Sequence, residues 1–226
     1  STQGVSSAAS DVYKRQAVNM GVKQTGAGSS YVELAWNAQL GAGHYHTQFS
    51  QDGKNWIDME YSSSPSDSVY NLTQGASYYA RVVAYNGSHY SGTHVMVGVS
   101  ETAIVSTKPT EVTGLTQTAA GVNSVSMSWN ASAGAASYVI YGYINYNWTQ
   151  IGTSATNSAT ITGVAATTST KFSVAAVKNV TGGTVTGDQC SGVEMKAIPI
   201  KVSRIAMQYY CCLLYTSPSP RDRQKS

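Results

Sequence analysis

One short pattern occurs twice, and it limits the chain more than any other feature. Trp36-Asn37-Ala38, Gly41-Ala42 and Tyr45 recur as Trp129-Asn130-Ala131, Gly134-Ala135 and Tyr138, at an offset of 93 residues. Further on, Leu72, Val82 and Ala84 recur at an offset of 92 as Val164, Val174 and Ala176. Self-similarity at a fixed spacing marks a repeated structural unit. A unit of this length is large enough to bury a hydrophobic core of its own. The joint between the copies falls near Ser106-Thr107-Lys108-Pro109, where proline interrupts any continuing strand.

Within each copy the apolar residues alternate, as they do along half-buried strands. Copy one shows Val32, Leu34 and Trp36, then Tyr45, Thr47 and Phe49, then Tyr78, Ala80, Val82 and Ala84. Copy two shows Val125, Met127 and Trp129, then Tyr138 and Ile140, then Ile161, then Phe172, Val174 and Ala176. Asp52-Gly53 predicts a tight hairpin turn between the third and fourth strands. No stretch keeps a 3.6-residue period over three turns. The pattern predicts an all-β chain in which each copy is a sandwich of two antiparallel sheets.

The Trp on the second strand, the Tyr nine residues later, and Leu72-x-x-Gly75-x-x-Tyr78-x-Ala80-x-Val82-x-Ala84 resemble a fibronectin type III domain. The resemblance implies two immunoglobulin-like sandwiches in tandem, with Trp36 and Trp129 packed between their sheets. It also implies that Tyr78 makes a tyrosine corner, a hydroxyl held against backbone a few residues upstream. Copy two departs from the pattern, with Thr170 at the corner and Val164 in place of Leu72, so the corner bond is expected in copy one alone. The expected structural core is Trp36, Tyr45, Leu72, Tyr78, Trp129, Tyr138 and Phe172.

Both ends resemble something other than protein. Residues 6–16, SSAASDVYKRQ, and 212–222, CLLYTSPSPRD, match codon for codon the adapters of transposase-cut sequencing libraries. The expectation is therefore that 1–16 and 212–226 are adapter-derived and non-native. The first domain is then expected over 17–107, the second over 108–199, and the start of a following module over 200–211. The ends hold five basic and two acidic residues, which leaves nine of each in the rest of the chain, so the formal charge of +3 falls to zero. No basic footprint remains for nucleic acid. No apolar run is long enough for a membrane helix.

Few residues promise chemistry. There is no GxSxG elbow, HExxH pair, phosphate-binding glycine loop or CxxC. Asp58 and Glu60 are expected on one side of a strand after Trp56, as a solvated face rather than a catalytic pair. Ser50-Gln51-Asp52-Gly53-Lys54-Asn55-Trp56 resembles the Asp-box of sialidase propellers but is one residue short and occurs once. Cys190, in the last loop of copy two, is expected to be a free, passive thiol.

Two groups of side chains remain. His44 and His46 alternate with Tyr45 and are expected to point outward from the start of the third strand. The loop after the sixth strand closes at the same end and carries His89 and His94. A four-imidazole site is thus topologically open, but the expectation is ordinary surface histidines and no bound metal or other cofactor. Tyr79, Arg81, Val83 and Tyr85 are expected to face solvent on the same sheet, continuing into Tyr90. In copy two Tyr141, Tyr143, Tyr146 and Trp148 surround the third strand and its turn.

By resemblance, the chain is expected to be a monomeric, non-catalytic spacer within a larger extracellular or cell-surface protein, its partners being neighbouring domains of the same chain. The alternative is a module that binds a polysaccharide or a surface protein through the exposed tyrosines and Trp148. That alternative requires Tyr79, Tyr85, Tyr90 and Trp148 to be exposed and contiguous.

Overall fold

Alternating apolar residues resolve into strands throughout the computed structural model, which describes residues 17–199 apart from 92–93 and 167–168. The expected adapter-derived ends and the segment 200–211 lie outside the described residues. The first half contains β1 (Lys23–Ala27), β2 (Val32–Ala35), β3 (His44–Ser50), β4 (Ile57–Ser62), β5 (Ser66–Val69), β6 (Ser77–Tyr85), β7 (Met96–Val99) and β8 (Ala103–Ser106). The second contains β9 (Thr116–Gly121), β10 (Ser124–Ser128), β11 (Ser137–Ile144), β12 (Asn147–Ser154), β13 (Ser158–Thr162), β14 (Thr170–Val180), β15 (Gly183–Thr186) and β16 (Val193–Met195). One 3-10 turn, His89–Ser91, interrupts this pattern among the described residues.

In the first half β1, β2 and β5 form one antiparallel sheet, and β4, β3, β6 and β7 form the other, with β8 also on β6. In the second half the order β13-β10-β9 faces β12-β11-β14-β15, with β16 also on β14. Because β7 and β8 share one edge of β6, they are two halves of a broken edge strand, as β15 and β16 are on β14. Each half is therefore an immunoglobulin-like sandwich with the three-plus-four strand positions of a fibronectin type III fold.

Each sandwich closes over its own core. Trp36, Tyr45, Leu72 and Tyr78 are buried with Val32, Leu34 and Phe49 in the first. Trp129, Tyr138 and Phe172 are buried with Met127, Ile140 and Val174 in the second. The repeated tryptophans meet the repeated tyrosines edge-on, Trp36 with Tyr45 at 5.4 Å and Trp129 with Tyr138 at 5.3 Å, both at 68°. Edge-to-face packing is the arrangement that the ring quadrupoles favour. Each tyrosine hydroxyl also accepts a backbone amide at 3.0 Å, from Gln39 and from Ser132.

The corner at Tyr78 is present, with its hydroxyl accepting the Thr73 amide at 3.0 Å. Gly75 turns the chain between them at a φ of 70°, a conformation that an L side chain rarely adopts. The broken edges are bridged by a side chain in each copy. The Val82 amide donates to Ser100 Oγ at 2.8 Å, and the Val174 amide to Cys190 Sγ at 3.2 Å. Cys190, in the last loop of copy two as the sequence places it, is a buried free thiol filling a gap in a ladder.

The turn after β3 is longer than the tight hairpin expected from Asp52-Gly53. Residues 51–56 bridge β3 and β4, and the Asp52 carboxylate accepts the amides of Lys54 and Asn55 at 2.8 Å each. Those amides, with the Ser50 hydroxyl and the Asn55 side chain, hold its carboxyl well below the usual carboxylate range.

Asp58 and Glu60 do not share a face. A bulge between Thr47 and Gln48 pairs Glu60 with Thr47 but Asp58 with Gln48, and successive strand residues point to opposite sides. One residue of slip is enough to separate carboxylates that simple alternation puts together.

Candidate functional site

The outer face of the large sheet in the first sandwich is built by register. His44 lies opposite Tyr85, His46 opposite Val83, Gln48 opposite Arg81 and Ser50 opposite Tyr79, while Tyr61 on β4 lies opposite His46. The same period that sends Tyr45 and Phe49 into the core sends these residues outward.

Outward does not mean exposed. His44 is only 2% exposed and Val83 also is buried, which corrects the expectation that both meet solvent. The segment after β6 folds back over them. Asn86 fixes its base, accepting the Val95 amide through its side chain at 2.7 Å while its own amide donates to the Val95 carbonyl at 3.0 Å. The loop carbonyl of Gly87 sits against Gly43, and any Cβ there would come within 2.1 Å of it. Gly43 is required because it lets two backbones touch where the loop lands on the sheet.

This closure gathers the histidines that the sequence reading leaves as separate surface groups. The ring nitrogens of His44, His46 and His89 offer one ligand atom each, all within 4.8 Å of one another. Ring centroids of His44 lie 5.4 Å from His46, 5.5 Å from His89 and 5.2 Å from His94. His46 Nε2 and His89 Nδ1 are 3.2 Å apart. His44 Nδ1 donates to the Gly87 carbonyl at 3.0 Å, and its Nε2 is buried without a hydrogen-bond partner. Burial holds His46 below the ordinary histidine value; Asp58 opposes this, and the imidazoles of His44, His89 and His94 add to it.

Aromatic rings wall the cluster. Tyr85 stacks on His44 with ring centroids at 5.3 Å, and burial pushes its phenol above the ordinary value. Tyr61 stacks on His89 at 4.1 Å, nearly parallel at 8°, and its hydroxyl bonds that of Tyr90. Sequence reasoning passes over Tyr61, although the alternation beginning at Tyr45 and a count across the β3–β4 turn could have placed it beside His46. Beneath this wall, Gln48 donates to Asp58 at 2.7 Å and accepts from Arg81 at 2.7 Å. The Arg81 guanidinium lies 4.1 Å over the Trp56 ring, a cation–π contact.

The remaining aromatic residues do not join this face. Tyr79 stands next to Ser50 and Gly53, six residues along β6 from Tyr85, or roughly 20 Å at strand rise. Tyr143 and Trp148 pair at 5.3 Å in the second sandwich, with Tyr146 exposed at the β11–β12 turn and Tyr141 half-buried further down β11. The requirement that Tyr79, Tyr85, Tyr90 and Trp148 be contiguous therefore fails. They occupy three separate places on two sandwiches.

A second arrangement lies at the joint. Thr107 is fully buried, and its hydroxyl donates to the Thr73 carbonyl at 2.8 Å. The Thr181 amide donates to the Ile104 carbonyl at 2.8 Å, and the Ile104 amide to Thr181 Oγ1 at 2.7 Å. Lys108 pairs with Asp188 at 2.7 Å. The Lys178 ammonium, on β14 of the second sandwich, donates to the carbonyl of Gly75 in the first. Lys178 is nearly buried, and that burial lowers its pKa from the ordinary lysine value. Its sequence context, in the run Ala175-Ala176-Val177-Lys178, gives no sign that it reaches across to the other copy.

No protein-family model matches the chain. Over 162 residues it is 33% identical to chitinase A1 of Niallia circulans, an alignment covering 68% of this chain and 22% of that protein. The chain thus spans about a fifth of the length of this curated relative. Among solved structures, it is similar to the FN1–FN3 domains of chicken CNTN1, at 14% identity and a TM-score of 0.44, covering 78% of this chain and 66% of that one. A two-domain fibronectin type III segment of chicken tenascin aligns at 16% identity and a TM-score of 0.39, covering 78% and 97%. The strand order itself carries the fold assignment.

Proposed function

We propose that this tandem is a non-catalytic spacer in a larger, multimodular extracellular protein, holding neighbouring domains at a set distance and angle. The observation that carries the reading is the joint. Hydrogen bonds between Thr181 and Ile104 and from Lys178 to Gly75 cross between the sandwiches rather than leaving a free linker. Ser106 and Thr107, which lead into the joint, are buried against the first sandwich, with the Thr107 hydroxyl donating to Thr73. The similarity to chitinase A1 supports an extracellular, polysaccharide-degrading context.

Small-angle scattering of the chain and of Lys178→Ala tests the reading. The unaltered chain is expected to fit one arrangement of two sandwiches, with the variant shifting toward a broader set. Scattering that requires a broad ensemble for the unaltered chain would overturn it. Co-sedimentation with chitin separates the polysaccharide-binding alternative, because a spacer remains in the supernatant.

A further inference from the structure

We propose that His44, His46 and His89 bind one divalent transition-metal ion of the zinc class, which fastens the segment carrying His89 to the outer face of the first sandwich. This inference is independent of the spacer reading, since it concerns one sandwich and neither the joint nor a neighbouring domain.

Distance carries the argument first. Imidazole nitrogens bind zinc at about 2.0–2.1 Å, so two nitrogens sharing one tetrahedral ion stand roughly 3.3 Å apart. The separation of His46 Nε2 and His89 Nδ1 is 3.2 Å, and the His44 ligand atom lies in the same group. The exposed His94 ring stands beside this group without joining it, with centroids 5.2 Å from His44 and 6.4 Å from His89.

His44 is held with one ring nitrogen protonated and the other free. A carbonyl only accepts, so the bond to Gly87 puts the proton on Nδ1 and leaves the lone pair on Nε2. That Nε2 is buried and has no hydrogen-bond partner, whereas buried polar atoms are nearly always satisfied. Metal-bound histidines typically donate their other ring N–H to a carbonyl or carboxylate, which orients the ring. Gly87 has that position relative to His44. The donor set then selects the ion. Among the described residues no carboxylate or thiolate belongs to the cluster, and imidazole donors suit zinc, copper or nickel rather than calcium or magnesium.

The test is a Co²⁺ titration of the full chain carrying Cys211→Ser and Cys212→Ser, so that no thiolate of that pair competes. Saturation at one equivalent is expected, with the intense visible bands of tetrahedral nitrogen ligation, and Zn²⁺ should displace the cobalt. Losing an outer hydrogen-bond partner of a ligand costs about 10–100-fold in affinity, so losing a ligand in His46→Ala or His89→Ala is expected to cost at least about tenfold. His94→Ala removes an exposed side chain outside the three-histidine group and is expected to retain one-equivalent binding. Added Zn²⁺ is also expected to slow amide exchange over 86–91 in the parent chain but not in the His46→Ala/His89→Ala double variant. Absence of saturable binding, a weak octahedral spectrum, equal binding of Ca²⁺, or unchanged affinity in the His46→Ala/His89→Ala double variant would each overturn the proposal.

Discussion

The two sandwiches share a clasp and differ in almost everything laid over it. Trp36–Tyr45 and Trp129–Tyr138 agree within 0.1 Å in spacing and share one interplanar angle. Yet the first sandwich has a tyrosine corner, a closed loop over four imidazoles, and a serine at its broken edge. The second has Thr170 at the corner position, a cysteine at the edge and an exposed Tyr143–Trp148 hairpin. The interior has little latitude, because a ring displaced in a close-packed core leaves a void or a clash. The outer faces are filled by residues that the core does not constrain, so specialisation collects there.

If the clasp is equivalent in both copies, Trp36→Ala and Trp129→Ala should each destabilise their own sandwich by about 3–5 kcal/mol. Denaturant unfolding, read by hydrogen exchange in each half, measures both. Unequal costs would show that the shared geometry does not mean shared energetics. A smaller and one-sided effect is expected for Tyr78→Phe. It leaves the Thr73 amide without its partner, at about 1–3 kcal/mol in the first sandwich, and chemical denaturation of the variant measures it.

The joint supplies a pH test. Lys178 has a folded pKa below its unfolded value, so between those two values the unfolded chain binds more protons. Stability therefore rises with pH through that window. In Lys178→Met this rise should disappear, while the rest of the pH profile from neutral to alkaline conditions is retained. Denaturation midpoints at intervals across that range measure the difference. The smallest expected effect is that of Cys190→Ser, which puts the residue of the first sandwich into the second. Serine can accept the Val174 amide as Ser100 accepts that of Val82, so the change should stay within about 1 kcal/mol, as read from the same unfolding curves.

Core and strand order were legible because period-two alternation reports burial directly, and because Trp36 and Trp129 recur with their tyrosines. The corner was legible from Leu72, Gly75 and Tyr78. What escaped the sequence arose where the period slips or where a distant segment lands. The bulge at Thr47/Gln48 rotated Asp58 away from Glu60. The Gly87 carbonyl and the rings of His89 and His94 turned His44 from an outward residue into a buried one. Topology indicated that the four histidines share an end of the sheet, but only the Gly43–Gly87 approach shows how closely they meet. Lys178 sits in an apolar run, and its partner carbonyl is 103 positions away, beyond the reach of any local pattern.

The central claim is that the two sandwiches are held in one arrangement by the contacts across their joint. Distance measurement between paired spin labels tests it most directly, with labels at Leu40→Cys and Tyr146→Cys, both highly exposed. Cys190, Cys211 and Cys212 are replaced by serine for this purpose. A single narrow distance population that broadens in Lys178→Ala is the predicted result. A broad distribution in the unaltered joint, insensitive to that substitution, would contradict the account.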